Sequence, residues 1–537
     1  MATYISDTRE VTQTVLGDLV LERSGTIRTV ATAIDAERFA SVTVFGSIYS
    51  EANAIAAKLG SQISIGSSGI IYSELVGLSV EGQSNVNNDG SILTRAVFGV
   101  GIIATGRLNT ISNTGTIQAY YGIRVTSGTA RADSIVNTGK IVSHDGVGIE
   151  LIGSGTITNN GDILAGIATG IKLTDGVSGR ANVVINTGFI WAGTAIEGSA
   201  QADLVTNTGT IRGWVDLGDG NDRYRGENGW SNGYILLGNG DDQAWGGAAS
   251  EIFSGGGGND TVDGGAGDQD AIYFMDDANN VTADLRIAGP QQTGEGLDTL
   301  LNIEWVYTSD GADRLTGSDL ANLLDSAGGN DTLDGGLGND TLDGGGGIDT
   351  LVFSGSKAAT VTLGLGSVGQ NTGYGLDLIL GIENVAGGSG ADRLTGDGLA
   401  NALVGNGGKD QLSGGDGDDT LTGGADDDIL TGGAGRDVFV FDAARLKNVD
   451  TIKGYVVADD AIHLQNGIYT KIGAPGALAA KAFWSGKKAH DSSDRVIYDK
   501  ATGALYYDAD GTGSALQVKI GQLAKNLKMS AAEFFVI

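Results

Sequence analysis

Between residues 405 and 440 an aspartate returns every nine residues, at Asp410, Asp419, Asp428 and Asp437, with glycines before it and a large apolar residue two positions after. The four units read GNGGKDQLS, GGDGDDTLT, GGADDDILT and GGAGRDVFV. Glycines able to take positive φ expose backbone carbonyls, and one carboxylate stands beside them at a fixed phase. Hard oxygen ligands of this kind suit Ca²⁺. The three residues after each loop read as a short strand whose apolar member points inward. The pattern therefore predicts turns that fold around calcium.

The same unit recurs upstream. A first block, 217–273, holds LGDGNDRYR with Asp222, LGNGDDQAW with Asp242, a degenerate GGAASEIFS, and GGGGNDTVD with Asp260. It ends in GGAGDQDAIYF, where one extra residue places the ligand at Asp270. A second block, 308–352, has Asp313, Asn322, Asp331, Asp340 and Asp349 at its sixth positions, and a third, 387–440, adds Asp392 and Asn401 to the four units above. The second and third blocks are copies at an offset of 79 residues: GADRLTG at 311 matches 390, Ile303-Glu304 matches Ile382-Glu383, and G-x-G-L-D at 294 matches 373. The stretches between, such as VTADLRI and VTLGLGS, alternate as strands that continue the stack.

The spacing G-G-x-G-x-D-x-U-x makes residues 213–441 resemble the RTX (repeats-in-toxin) family of secreted proteins. The resemblance implies a parallel β-roll with two nonapeptides per turn and Ca²⁺ held between loops two units apart. Asp331 would then share ions with the loop of Asp349, and Asp410 with that of Asp428, while Asp340, Asp419 and Asp437 supply the other edge. Loop ligands fall at Gly256, Gly258, Gly336, Gly338, Gly345, Gly347, Gly415, Gly417, Gly433 and Gly435. Weakened or missing ions are expected at Glu251 and Ile252, at Asp426 in place of a glycine, and at Asn322 and Asn401.

The charge follows the repeats. Of a net −32, residues 213–441 hold 38 acidic and 8 basic side chains, against 17 and 13 in 1–212 and 10 and 12 in 442–537. Such a domain repels itself until cations neutralise it, and it is an unsuitable partner for nucleic acid. The 92 glycines against two prolines argue for repeats, and the absence of cysteine excludes disulfides and thiolate sites. The opening residues have neither a basic start nor an apolar run, so no Sec-type signal is expected, and no transmembrane segment is read.

Residues 1–212 must present something else. Glycines at 25, 46, 69, 90, 115, 139, 161, 188 and 209 recur at intervals of 21 to 27 residues. Four residues before them stand Leu21, Val42, Ile65, Val86, Ile111, Ile135, Ile157, Val184 and Val205. Two residues after stand Ile27, Ile48, Ile71, Ile92, Ile117, Ile141, Ile163, Ile190 and Ile211. The six-residue offset puts both on one face of a period-two strand, and stacked copies give inward columns. Asn88, Asn113, Asn137, Asn159, Asn186 and Asn207, two before the glycine, share that parity and can bond one another at a corner. GIRV, GIEL and GIKL suggest a second strand per rung. The reading is an all-β chain: a parallel β-helix over 1–212, β-roll blocks with intervening strands over 213–441, and a β-rich cap over 442–537. The helix is similar in pattern to the right-handed β-helices of secreted bacterial adhesins and polysaccharide lyases.

Three places on the helix have residues for catalysis: Lys140 beside Asp162 on the next rung, His144-Asp145, and Asp175 with Arg180 in a longer rung. None carries a recognised catalytic motif. In the cap, Asp508, Asp510 and Gly513 start like an EF-hand loop, but Lys519 stands where the bidentate Glu belongs, so a β-hairpin is read. The ending Ala532-Glu533-Phe534-Phe535-Val536-Ile537 resembles the family's uncleaved type I secretion signal. The resemblance implies a protein exported by the type I secretion apparatus that folds on Ca²⁺ outside the cell. The regular rungs point first to a surface, adhesion or biofilm-matrix role, and second to an extracellular polysaccharide-modifying enzyme (lyase, glycanase or epimerase) acting through the β-helix.

Overall fold

An aliphatic residue that recurs once per rung is buried only when rungs stack, so stacking decides this architecture. The computed structural model describes all residues except 1, 2, 11, 128–131, 176–179, 276–279 and 444–447. It is 1% helical and forms a parallel β-solenoid of about 20 turns. The chain divides into two compact units, Met1–Met275 with Ile287–Ile303, and Asp276–Arg286 with Glu304–Ile537. Among the described residues no helix is long and apolar enough to cross a membrane.

In the first unit the isoleucine column is continuous. Ile27, Ile48, Ile71, Ile92, Ile117, Ile141, Ile163, Ile190 and Ile211 pair in register from rung to rung, and each is 0% exposed. The strand layout differs from the expectation. A rung has three strands, for example Thr110–Asn113, Thr116–Ala119 and Tyr121–Ser127, because the glycine turns a corner between the two aliphatics instead of lying within one strand. A Cβ on Gly115 would lie 2.0 Å from the Gly90 carbonyl, and one on Gly139 2.1 Å from that of Gly115. Backbones touch at this corner, and only glycine fits there.

The second column is shifted at two places. Val42 pairs with Leu19 and Ile63, not with Leu21 and Ile65, because the turns before Gly25 and Gly69 are two residues longer. A slip of two preserves parity, so all four side chains still face inward. Leu21 and Ile65 sit where later rungs place asparagine. From Asn88 the expected ladder forms: each Nδ2 donates to the next Oδ1, through Asn113, Asn137, Asn159, Asn186 and Asn207, at 2.7–2.8 Å. A further rung, Thr3–Ile5, Thr8–Arg9 and Gln13–Val15, precedes the first glycine copy.

Within the nonapeptide blocks of the second unit the turns are 18 residues long. Leu333 pairs with Leu351, Leu403 with Leu421 and Leu412 with Leu430, and the six are 0–2% exposed. Two nonapeptides thus make one turn, each contributing one strand. VTADLRI and VTLGLGS supply the strands Thr282–Asp284 and Thr360–Thr362, which continue the parallel stacks. Each copy of the duplicated module also has an antiparallel excursion, Gln291–Gln292 against Leu297–Leu301 in the first unit and Gln370–Asn371 against Leu376–Leu380 in the second. In the cap, Ala504–Tyr507 and Val518–Gln522 form the expected hairpin. Phe534–Val536 joins the stack as a parallel strand beside Ala461–Leu464, and Glu533 closes a capping box with Ser530.

Candidate metal centres

The nonapeptide turn depends on two left-handed residues, the second and fourth of each unit. In one unit these are Gly336 (φ +82°) and Gly338 (φ +128°), in others Gly256 and Gly258, Gly345 and Gly347, Gly415 and Gly417, and Gly433 and Gly435. Where glycine is replaced, the conformation is kept: Ala327, Asn406 and Asp426 hold φ of +55°, +66° and +79°. The replacement at Asp426 therefore leaves the turn intact. The units whose sixth residue is Asp222, Asp242, Asp260, Asp331, Asp340, Asp349, Asp410, Asp419, Asp428 or Asp437 all have this turn.

Each sixth-position aspartate divides its carboxylate between two tasks. Oδ1 accepts the N–H of the aspartate one turn earlier: Asp313 to Asp331 at 2.7 Å, Asp331 to Asp349 at 2.8 Å, Asp410 to Asp428 at 2.8 Å and Asp419 to Asp437 at 3.1 Å. In the first unit the ladder runs from Asp203 through Asp222 and Asp242 to Asp260. Loops two units apart are therefore brought together, as the resemblance implied. Oδ2 of Asp222, Asp242, Asp260, Asp331, Asp349, Asp410, Asp419, Asp428 and Asp437 is buried with no hydrogen-bond donor. In the units that begin with glycine it lies over that glycine: a Cβ on Gly414 or Gly432 would come within 2.1 Å of it.

A buried carboxylate oxygen without a donor is costly, and the titration of these groups reflects this. Burial, added to neighbouring aspartates, pushes Asp222 and Asp260 up to about 8, Asp340 and Asp410 to about 7, and Asp242, Asp349, Asp419 and Asp428 to about 6. A divalent cation offers such an oxygen a positive charge and needs no donor. The residues present therefore fit calcium.

The same position is solved differently elsewhere. The Thr308 hydroxyl donates to Asp313 Oδ2, and the Gly388 N–H donates to Asp392 Oδ2 at 2.9 Å. Asn322 and Asn401 accept from the Ser318 and Asp397 N–H groups at 2.6 and 2.9 Å. None of these four loops has the pair of positive φ values. Glu251 Oε2 accepts the Gly247 N–H at 3.1 Å, and its own N–H donates to Asp270 Oδ1 at 2.8 Å.

Sequence reasoning missed the extent of the ladder. Asp298 and Asp377, both in the repeated G-x-G-L-D, accept the N–H groups of Asp260 and Asp340, and hydroxyls of Thr293 and Thr372 satisfy their Oδ2 atoms. Asp450 and Asp460 extend it into the cap beyond Asp428 and Asp437. A second, exposed ladder runs at the fifth position, where Asn259 takes the Leu297 N–H, Asn330 that of Ile348 and Asp418 that of Arg436. Its sequence signal is the recurrent Asn or Asp just before the ligand aspartate.

The catalytic candidates disperse. Lys140 and Asp162 are adjacent in register and exposed. Among the described residues the ion pairs of this region stand elsewhere, at Arg9–Asp7 (3.2 Å), Lys58–Glu37 (2.8 Å), Arg124–Glu150 (2.8 Å) and Lys172–Glu197. His144 Nε2 lies 2.8 Å from Gln118 Nε2, and Asp145 takes a positive φ of 61° in the turn. Asp175 accepts the Ala200 N–H at 3.0 Å, and the residues between it and Arg180 lie outside the described ones. Asp508 Oδ1 caps its own loop by accepting from Asp510 and Gly511.

Comparison with known families agrees with this geometry. The family model for the RTX calcium-binding nonapeptide repeat matches four segments, residues 236–268, 316–351, 380–398 and 404–439. Asp222, Asp270 and Asp313 fall outside them. No curated protein matches the chain.

Proposed function

From RTX calcium-binding repeats on a parallel β-solenoid, we propose that this protein is secreted by a type I system, folds on calcium outside the cell, and presents its N-terminal rod as a surface, adhesion or biofilm contact. The observation that carries the calcium part is the set of buried Oδ2 atoms without donors in nine nonapeptide loops. Asp222, Asp242, Asp260, Asp331, Asp349, Asp410, Asp419, Asp428 and Asp437 would hold the ions together with carbonyls of the left-handed loop residues. Calcium supplies the charge that lets this acidic stack close. Asp340 has the same turn and belongs with them. Asp313 and Asp392 serve as hydrogen-bonded corners.

Extracellular modules of this kind bind with Kd of about 10⁻⁴–10⁻³ M, so cytosolic calcium leaves the chain open for export. The test is circular dichroism of the full chain during a calcium titration. Strand signal should rise at millimolar Ca²⁺ and fall on chelation; no gain over the chelated chain would sink the proposal. For the rod, attachment of cells or matrix to the calcium-folded chain is the readout. A second reading, a polysaccharide-modifying enzyme, is favoured by one observation: Glu10, Arg28, Glu51 and Glu74 line one groove on the first rungs. Release of reducing ends or of unsaturated products from polysaccharide in calcium separates it from the first.

A further inference from the structure

A groove of about 490 Å³ lies on the outward side of the second strand column in the first rungs. Its floor is one column in register: Arg28 aligns with Tyr49, and Tyr49 with Tyr72. The tyrosine rings have centroids 6.1 Å apart at 38°, and the Arg28 guanidinium sits 4.8 Å over Tyr49. Glu10, Glu51 and Glu74 line the groove together with Thr29, Val30 and Ser50. Glu51 and Glu74 stand on neighbouring rungs, held by backbone bonds from their N–H groups to Thr29 and Ser50.

Outward strand positions need no aromatic residue for folding, yet Tyr49 leaves 37% of its surface to solvent. The Arg28 guanidinium covers one face of Tyr49, and the ring surface left to solvent gives the C–H groups of a ligand an apolar area to pack on. Stacking on Tyr49 leaves the edge N–H groups of Arg28 able to donate, and the three carboxylates are acceptors. A ligand that combines C–H faces with a rim of hydroxyls uses every one of these features, and that combination describes a sugar. Three carboxylates against one guanidinium repel acidic chains. Successive rungs lie about 4.8 Å apart, close to the length that one pyranose unit adds to an extended chain.

We propose that this groove binds a glycan of neutral or amino-sugar units, with its chain running along the stacked rungs. This rests on the reading of the rod as a contact surface and gives that surface a ligand class. The test uses the full chain folded in millimolar calcium, titrated calorimetrically with cellohexaose, with a chitosan hexamer, and with hexagalacturonate as the acidic comparator. Expected is saturable binding of the neutral or the amino hexamer, weaker by roughly tenfold or more for hexagalacturonate. The Tyr49→Ala/Tyr72→Ala variant should lose roughly tenfold or more in affinity. Glu51→Gln/Glu74→Gln should weaken the chitosan hexamer most, and it serves as the second variant if the tyrosine variant loses strand signal. Calcium-folded protein that binds neither hexamer, binds equally well without the tyrosines, or prefers hexagalacturonate overturns the proposal. Because folding is read separately by dichroism, such a result leaves the calcium reading standing.

Discussion

Asp419 and Asp392 occupy the same place in two copies of the nine-residue unit, yet their second carboxylate oxygens differ in partner. Asp419 Oδ2 is buried without a donor, and Asp392 Oδ2 takes the Gly388 N–H. Calcium should depend on the first and not on the second. Asp419→Asn and Asp428→Asn are expected to raise the calcium midpoint of folding by roughly tenfold, since each removes a charged ligand, and Asp392→Asn to leave it almost unmoved. A calcium titration of the three variants by dichroism checks this. At the other end of the chain, Asn137 both accepts from Asn113 and donates to Asn159. Asn137→Ala strands a buried group on each neighbour and should cost about 1–3 kcal/mol for each, seen as a lower denaturant midpoint in saturating calcium.

At the scale of the turn, glycine is needed for two separate reasons. The second and fourth positions need positive φ, a demand that Ala327, Asn406 and Asp426 show can be met at a cost. The first position needs room in the units that begin with glycine, because a Cβ there meets the ligand carboxylate; the units of Asp222, Asp242 and Asp331 begin instead with Leu217, Leu237 and Ser326. Gly432→Ala places a methyl 2.1 Å from Asp437 Oδ2 and should weaken calcium binding and stability together. Gly398→Ala meets nothing within 4 Å and should change stability by no more than about 0.5 kcal/mol. Comparing thermal midpoints of the pair at fixed calcium isolates the steric effect from helix or strand propensity.

For the whole molecule the raised carboxyl pKa values couple folding to pH. A carboxyl that holds its proton more tightly when folded favours the folded state below its unfolded value, about 3.9, and loses that contribution as the pH climbs. Here the loss runs through about 6 for Asp242, Asp349, Asp419 and Asp428 and through about 8 for Asp222 and Asp260. In calcium-free buffer the chain should therefore show more strand signal at pH 4.5 than at pH 8, and added calcium should gain most at pH 8. The reverse order would contradict the burial of these groups in the metal-free fold.

Much of this molecule was legible because its information is local and repeated. The isoleucine columns, the asparagine ladder and the nonapeptide turn each follow from residue type at a fixed phase, and a period-two or period-nine pattern carries that phase in the sequence. Three-stranded rungs, the two-residue shifts before Gly25 and Gly69, and the groove of Tyr49 and Tyr72 were not legible. They depend on which residues of rungs some 21 to 27 positions apart come to lie side by side. Sequence by itself determined the kind of ligand: hard oxygens at stacked turns, hence calcium chemistry. Only the tertiary structure decided which aspartates keep an oxygen free for it, because a hydroxyl such as that of Thr308 or an amide such as that of Gly388 competes for the same lone pairs once the loops close.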